Sequence, residues 1–404
     1  MRMRAGHALP VAAAIDRVGY SVVDVTGSSQ FEVQVRHHHD NPWEGLDLLR
    51  AAMPTATLRA GTRSNGIVGM GLTPYCMLDL WVTTLAKHGI DSFWIFDCLF
   101  NIDEMARMVG TVTGAGATAS PQVMFGTSPV HTDAYFADKV AQLAAVEGVR
   151  SLLIGDEAGV LAVERAVGFL PAMVAAAGDV PLEMHFHNTT GLAPVNHLIG
   201  VEAGIRIVHT AVESLANGPS MPSAANTADN LRRRGHDPDI DIAPLAGIST
   251  HFARVARAEG HPVGAPREYS VAVIDQQLPG GMTGTLRNQL VQYGMAHRLD
   301  EVLEEVTVVR AEMGYPIMAT RTRSSLGSRP CSTWSPASGT RWCPTRTSCT
   351  SPGTWARTPR RSTRRCSTRR SAASADGSSS VGPRRSRRSR RSATRTATRS
   401  PTRS

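Results

Sequence analysis

The chain has 404 residues, is 42% hydrophobic and carries 43 basic against 34 acidic side chains, a formal net charge of +9. That content suits one large soluble domain with an extension, and no apolar run of membrane length occurs, since Leu161 to Ala177 is broken by Glu164, Arg165 and Gly168. The start MRMRAGHALP is too polar for a secretion signal, so a cytoplasmic location is expected.

In chain order, a helix-like segment HALPVAAAIDRVG comes first, and then short apolar runs alternate with longer amphipathic stretches. YSVVDV precedes WEGLDLLRAAM, ATLRAG precedes MLDLWVTTLAKHG, SFWIFD precedes NIDEMARMVGTVTGAG, and SPQVMFG precedes DAYFADKVAQLAAVEG. RSLLIGD, PLEMHFH and IRIVHTAV continue the series, the first two followed by LAVERAVGFLPAMVAAAG and APVNHLIGVEAG. This strand-then-helix beat predicts an α/β domain with a parallel sheet of seven strands between Tyr20 and Val212. Seven is one short of a (β/α)₈ barrel, and a doubly wound open sheet stays in play, although no Gly-rich phosphate loop follows the first strand. After Ala225 the pattern turns helical, through HFARVARAEG and the long stretch from Leu286 to Gly314.

The chemistry concentrates in MHFHNTTG. In a strand the side-chain period is two, so His185 and His187 share a face while Phe186 takes the other. Such a pair at a strand exit suits Zn, Mn, Co or Ni, and equally suits a structural histidine pair; a metal site needs further ligands, usually carboxylates. Asp97 and Asp156 also fall at strand exits, where barrel active sites sit, and each equally suits a cap on the helix that follows. HHHD, His37 to Asp40, reads as the start or end of an exposed helix, and PGGM, Pro279 to Met282, as a turn.

The stretches RMRAGHALPVAAAIDRVGY, NPWEGLDLLRAAMP, GIDSFWIFDCLFN, GTSPVHTDAYF, DEAGVL, HFHNTTG and QQLPGGMTGTLRNQLVQYGMAHRLDEVLEEV occur in this order. They resemble the carboxyltransferase subunits of biotin-dependent enzymes, within the metal-dependent TIM-barrel lyases and aldolases. The resemblance implies a (β/α)₈ barrel over residues 1–225, with the first strand absent, and a helical segment of the same family over 226–320. It implies a 2-oxo acid substrate such as pyruvate, CO₂ exchange with biotin on a separate domain or subunit, and an oligomeric assembly. It also implies a divalent metal held by His185 and His187 together with an aspartate of the missing strand and a carbamylated lysine. Arg63 in GTRSNG is then the carboxylate-binding arginine, and Asp97 and Asp156 are the catalytic candidates.

The resemblance departs from its family where chemistry is expected. The lysine position is Gly155, a proton-shuttling threonine position is Pro219, and an arginine position is Trp94. Three functions therefore compete: a carboxyltransferase with an altered site; a divergent lyase or aldolase in which Asp156, Glu157 or Asn188 completes a two-histidine shell; and a catalytically silent homologue or scaffold.

The tail differs in kind. Residues 321–404 hold 21 of the 43 basic side chains and one acid, Asp376, leaving the preceding residues with 22 basic against 33 acidic. The tail lacks Glu, Lys, Ile, Phe, Tyr, His, Asn, Gln and Met, a composition that cannot build a core. A basic nucleic-acid arm, a solvated tail and a shifted reading frame all fit it. TRTRSSLGSRPCSTWSP, starting at Thr320, can be encoded so that one added base yields TPYSQLVGIQAVLNVVT, an ordinary globular sequence. We read 321–404 as frameshifted, which removes the argument for a nucleic-acid partner. Cysteines divide likewise, with only Cys76 and Cys98 before residue 321, so no disulfide framework is expected.

Overall fold

The computed structural model describes residues 3–67, 72–277, 286–287 and 290–318, which belong to one compact unit. The PGGM turn and the tail lie outside them. Helix α1 (Ala5–Arg17) leads into strand β1 (Val23–Gly27), a short helix α2 (Ser28–Val33) and helix α3 (Pro42–Ala52). Four strand–helix pairs follow: β2 (Leu58–Arg63) with α4 (Tyr75–Lys87), β3 (Ser92–Phe96) with α5 (Ile102–Gly114), β4 (Thr118–Met124) with α6 (Asp133–Ala144), and β5 (Leu152–Asp156) with α7 (Val163–Ala177). A fifth pair, β6 (Leu182–Phe186) with α8 (Ala193–Glu202), precedes β7 (Ile207–Val208), α9 (Ala224–Arg233) and α10 (Leu245–Ala258). All seven strands stand where the sequence places them.

The helices start where the sequence supplies caps. The side chains of Asn41, Asn101 and Thr132 accept from the backbone N–H of Trp43, Glu104 and Tyr135, satisfying donors that the first turns of α3, α5 and α6 leave open. Helix α7 buries Ala166, Phe169, Leu170, Met173 and Ala177, the spacing of a single helical face. Its partners include Leu152 and Ile154 of β5 and Met184 and Phe186 of β6, in the main core between sheet and helices.

The strands run parallel in sequential order, β1 to β7. That order would also suit a flat sheet, but contacts across the interior show that it is curled. Arg59 on β2 reaches Glu183 on β6, with the two guanidinium nitrogens 2.7 and 3.1 Å from the carboxylate oxygens, and three strands intervene between them. Trp94 on β3 stacks over His185 on β6 at 6.0 Å. The fold is thus TIM-barrel-like, with seven strands among the described residues. The outer edges of β1 and β7 have no strand partner among the described residues. Between them opens a cavity of about 400 Å³ lined by Val23, Asp24, Arg59, Glu183, Val208 and His209, among others.

Helix α10 packs Leu245, Ile248 and Phe252 against Val18 and the partly buried Ala8 and Val11 of the opening segment. HHHD ends a helical stretch, with His39 in the left-handed region and Asp40 ion-paired with Arg4. Cys76 is exposed and Cys98 buried. No helix among the described residues is long and apolar enough to cross a membrane.

Candidate functional site

Strand β6 presents Glu183, His185 and His187 to the barrel interior and Met184 and Phe186 to the helices, as a period of two requires. The Nε2 atoms of His185 and His187 lie 3.3 Å apart. Nδ1 of His185 is 2.9 Å from Nδ1 of His209, which follows β7, and Nε2 of His209 is 2.8 Å from Glu183. Glu183 also accepts from Arg59 and Ser151, and Arg59 is braced by Ser92 Oγ at 3.1 Å. Burial alone would raise the Glu183 carboxyl, but hydrogen bonds from His209 and Arg59 outweigh it and hold this carboxyl far below the usual carboxylate range. Burial, then the nearby His209 and His187, depress His185 well below an ordinary histidine, so its ring stays neutral. A neutral imidazole is the form that can ligate a metal.

The register places Gly155 beside His185 and Asp156 beside Phe186. Asp156 therefore has the parity of the outward-facing residues. Its two carboxylate oxygens accept from the backbone N–H of Val160 at 3.0 Å and Leu161 at 2.8 Å, which shapes the loop after β5. Burial raises its carboxyl to about 6 against the pull of these bonds. Asp97 is arranged in the same manner: it accepts from Ser64 Oγ at 2.5 Å, Asn65 Nδ2 at 3.1 Å and the Leu99 N–H at 2.8 Å. Those bonds tie the exit of β3 to the residues just after Arg63. Arg63 is buried at the end of β2, with Nη2 donating to the Ile67 carbonyl at 2.9 Å.

Where the resemblance implies a lysine, the space above Gly155 is filled. A Cβ built there would overlap Nε2 of Gln122, which donates to the Glu157 carboxylate. Burial raises Glu157 to about 8, so this carboxyl holds its proton near neutral pH. Pro219 belongs to a loop fastened over the histidine strand: Asn188 donates through its N–H to the Ser220 carbonyl at 2.8 Å and through Nδ2 to Asn217 Oδ1 at 2.7 Å. Among the described residues no three His, Cys, Asp or Glu side chains converge to hold an ion. The structure thus joins His185 and His187 and does not bring Asp156 or Glu157 into a shell with them.

Arg59, Glu183 and His209 escaped the sequence reading, though one signal was available. Glu183 stands two residues before His185 in PLEMHFH and must share its face. His209 had no such marker, because its proximity arises only when β7 pairs with β6.

Comparison with known proteins agrees with this architecture. Residues 82–251 match the HMGL-like family model, and residues 273–322 match the conserved carboxylase domain. A pyruvate carboxylase subunit of Methanocaldococcus jannaschii is 30% identical over 330 residues, covering 81% of this chain and 58% of that protein. The methylmalonyl-CoA carboxyltransferase 5S subunit of Propionibacterium freudenreichii is 28% identical, covering 81% and 65%. The chain therefore spans about three-fifths of the length of these relatives. The carboxyl transferase domain of Rhizobium etli pyruvate carboxylase, solved with pyruvate, superposes with a TM-score of 0.76 at 23% identity, over 82% of this chain and 57% of that one. Two domain matches in chain order and these relatives bear out the resemblance to the carboxyltransferase subunits of biotin-dependent enzymes, and the solved structure shares the barrel fold.

Proposed function

We propose that the chain is a carboxyltransferase-like protein of the cytoplasm that takes a 2-oxo acid such as pyruvate or oxaloacetate at the exit of β6. His185 and His187 hold a divalent ion there, and biotin arrives on a separate domain or subunit of an oligomeric assembly. The observation that carries this reading is the 3.3 Å between the two Nε2 atoms. Two ligands on a tetrahedral ion with Zn–N bonds of about 2.0–2.1 Å are separated by about that distance. With only two protein ligands, the remaining positions are left to water or to the keto and carboxylate oxygens of the substrate. A bound ion would polarise the keto group as a Lewis acid. Arg63 would receive the substrate carboxylate, and Asp97 and Asp156 would act by fixing the loops around it, through Ser64, Asn65, Val160 and Leu161. Gly155 and Pro219 lack the side chains that the family resemblance implies, so CO₂ transfer is expected to be slow.

A second reading, a catalytically silent barrel, is favoured by one observation: Gln122 and Glu157 close the space over Gly155. The metal content of the purified chain, compared with a His185→Ala, His187→Ala double variant, decides between them. About one divalent ion per chain, lost in the variant, supports the first reading and calls for 2-oxo acid assays. Metal no higher than in the variant leaves the silent barrel.

We further propose that residues 321–404 result from a frameshift. The conserved carboxylase match ends at residue 322, next to the change in composition. Resequencing across the Thr320 codon without finding a missing base would defeat this.

A further inference from the structure

We propose that Glu183 and His209 are positioning residues that lock the His185 ring in one tautomer and aim its Nε2 lone pair at the space shared with His187. The functional consequence rests on the metal reading above; the tautomer itself does not.

Glu183 pairs with Ile207 and Met184 with Val208, so the next step of the register sets His209 beside His185 on the inner face. A carboxylate can only accept, so the 2.8 Å contact between His209 Nε2 and Glu183 places a proton on that nitrogen. For neutral rings the hydrogen bonds alone decide which nitrogen carries each proton. A neutral ring protonated at Nε2 carries a lone pair at Nδ1. The 2.9 Å separation of the two Nδ1 atoms then has one solution: His185 donates from Nδ1 and His209 accepts. That leaves Nε2 of His185 without a proton, 3.3 Å from Nε2 of His187. Orientation of a ligand ring by a carboxylate is a recurrent device of metal sites, and here a carboxylate held by Arg59 acts through an intervening histidine.

The test uses the full-length, metal-free chain with ¹⁵N-labelled histidine, observed through long-range proton–nitrogen couplings at a pH above the ordinary histidine range. His185 is expected as the Nδ1–H tautomer and His209 as the Nε2–H tautomer. Finding His185 protonated at Nε2 overturns the proposal. Because Glu183 is buried against Arg59, the informative variants are His209→Ala and His209→Asn. Asn can offer its carbonyl oxygen where Nδ1 accepts. His209→Ala should scramble the His185 tautomer and weaken binding of added Zn²⁺ by about 10–100-fold, while His209→Asn keeps the tautomer and most of the affinity. Equal tautomer populations in both variants and the parent would overturn the proposal. A locked tautomer in a chain that binds no Zn²⁺ would uphold it and dispose of the metal reading instead.

Discussion

Glu157 shows how one residue couples the altered site to stability. Its folded value of about 8 lies above the ordinary carboxylate range, so the folded chain holds a proton that the unfolded chain has released. The sign follows: stability falls as pH rises from about 4.5 to about 8 and levels off above. Glu157→Gln, which keeps an acceptor for Gln122, should match the parent in melting temperature near pH 4.5 and exceed it at pH 9. A parallel pH profile in both proteins would refute the assignment. Gly155→Ala tests the same packing from below, since the new methyl overlaps Gln122. Urea unfolding should show a loss of about 1–3 kcal/mol, largely recovered when Gln122→Ala is added. At this scale the sequence was only partly legible. It marked His185, His187 and the anomalous Gly155, and it offered Asp97 and Asp156 as acids at strand exits suited equally to catalysis and to capping the helices that follow. Their hydrogen-bond partners, backbone N–H groups at Asp156 and Ser64, Asn65 and the Leu99 N–H at Asp97, come from loops that the strand-and-helix pattern does not describe.

Elements were far more legible than site geometry. Parallel strands covered on both faces read as continuous apolar runs, and the helices between them advertise one buried face, so local pattern sufficed. What the pattern missed was charge inside the barrel. Arg59 and Glu183, both almost completely buried, pair from β2 to β6 across the interior. Arg59→Met strands a buried carboxylate and should cost about 3–5 kcal/mol in urea unfolding, with a loss near zero showing that the pair contributes little. On the inner face the Trp94 side chain of β3 lies over its register partner Gly61 of β2: a Cβ on Gly61 would enter the indole. Gly61→Ala should therefore lower the melting temperature, and Trp94→Leu should suppress that effect. If Gly61→Ala melts like the parent, the indole does not lie where the structure puts it.

For the whole molecule, the decisive feature is the opening between β1 and β7. The outer edges of β1 and β7, without a strand partner among the described residues, carry open backbone donors and acceptors, which other chains can satisfy. Sedimentation velocity over a hundredfold range of concentration should show self-association; a monomer throughout, with a cooperative melt, would argue against it. The sequence by itself determined the seven strands, the helices between them and the His-X-His pair, because these depend on periodicity within a few residues of chain. It also exposed the break in composition near Thr320, which is a property of composition alone. Only the tertiary structure decided that the sheet curls, because the evidence is a contact between Arg59 and Glu183, 124 residues apart. It alone brought His209 to His185, filled the space at Gly155 with Gln122 and Glu157, and occupied the Asp156 carboxylate with backbone. Those outcomes depend on register and curvature, quantities that no local pattern of residues encodes.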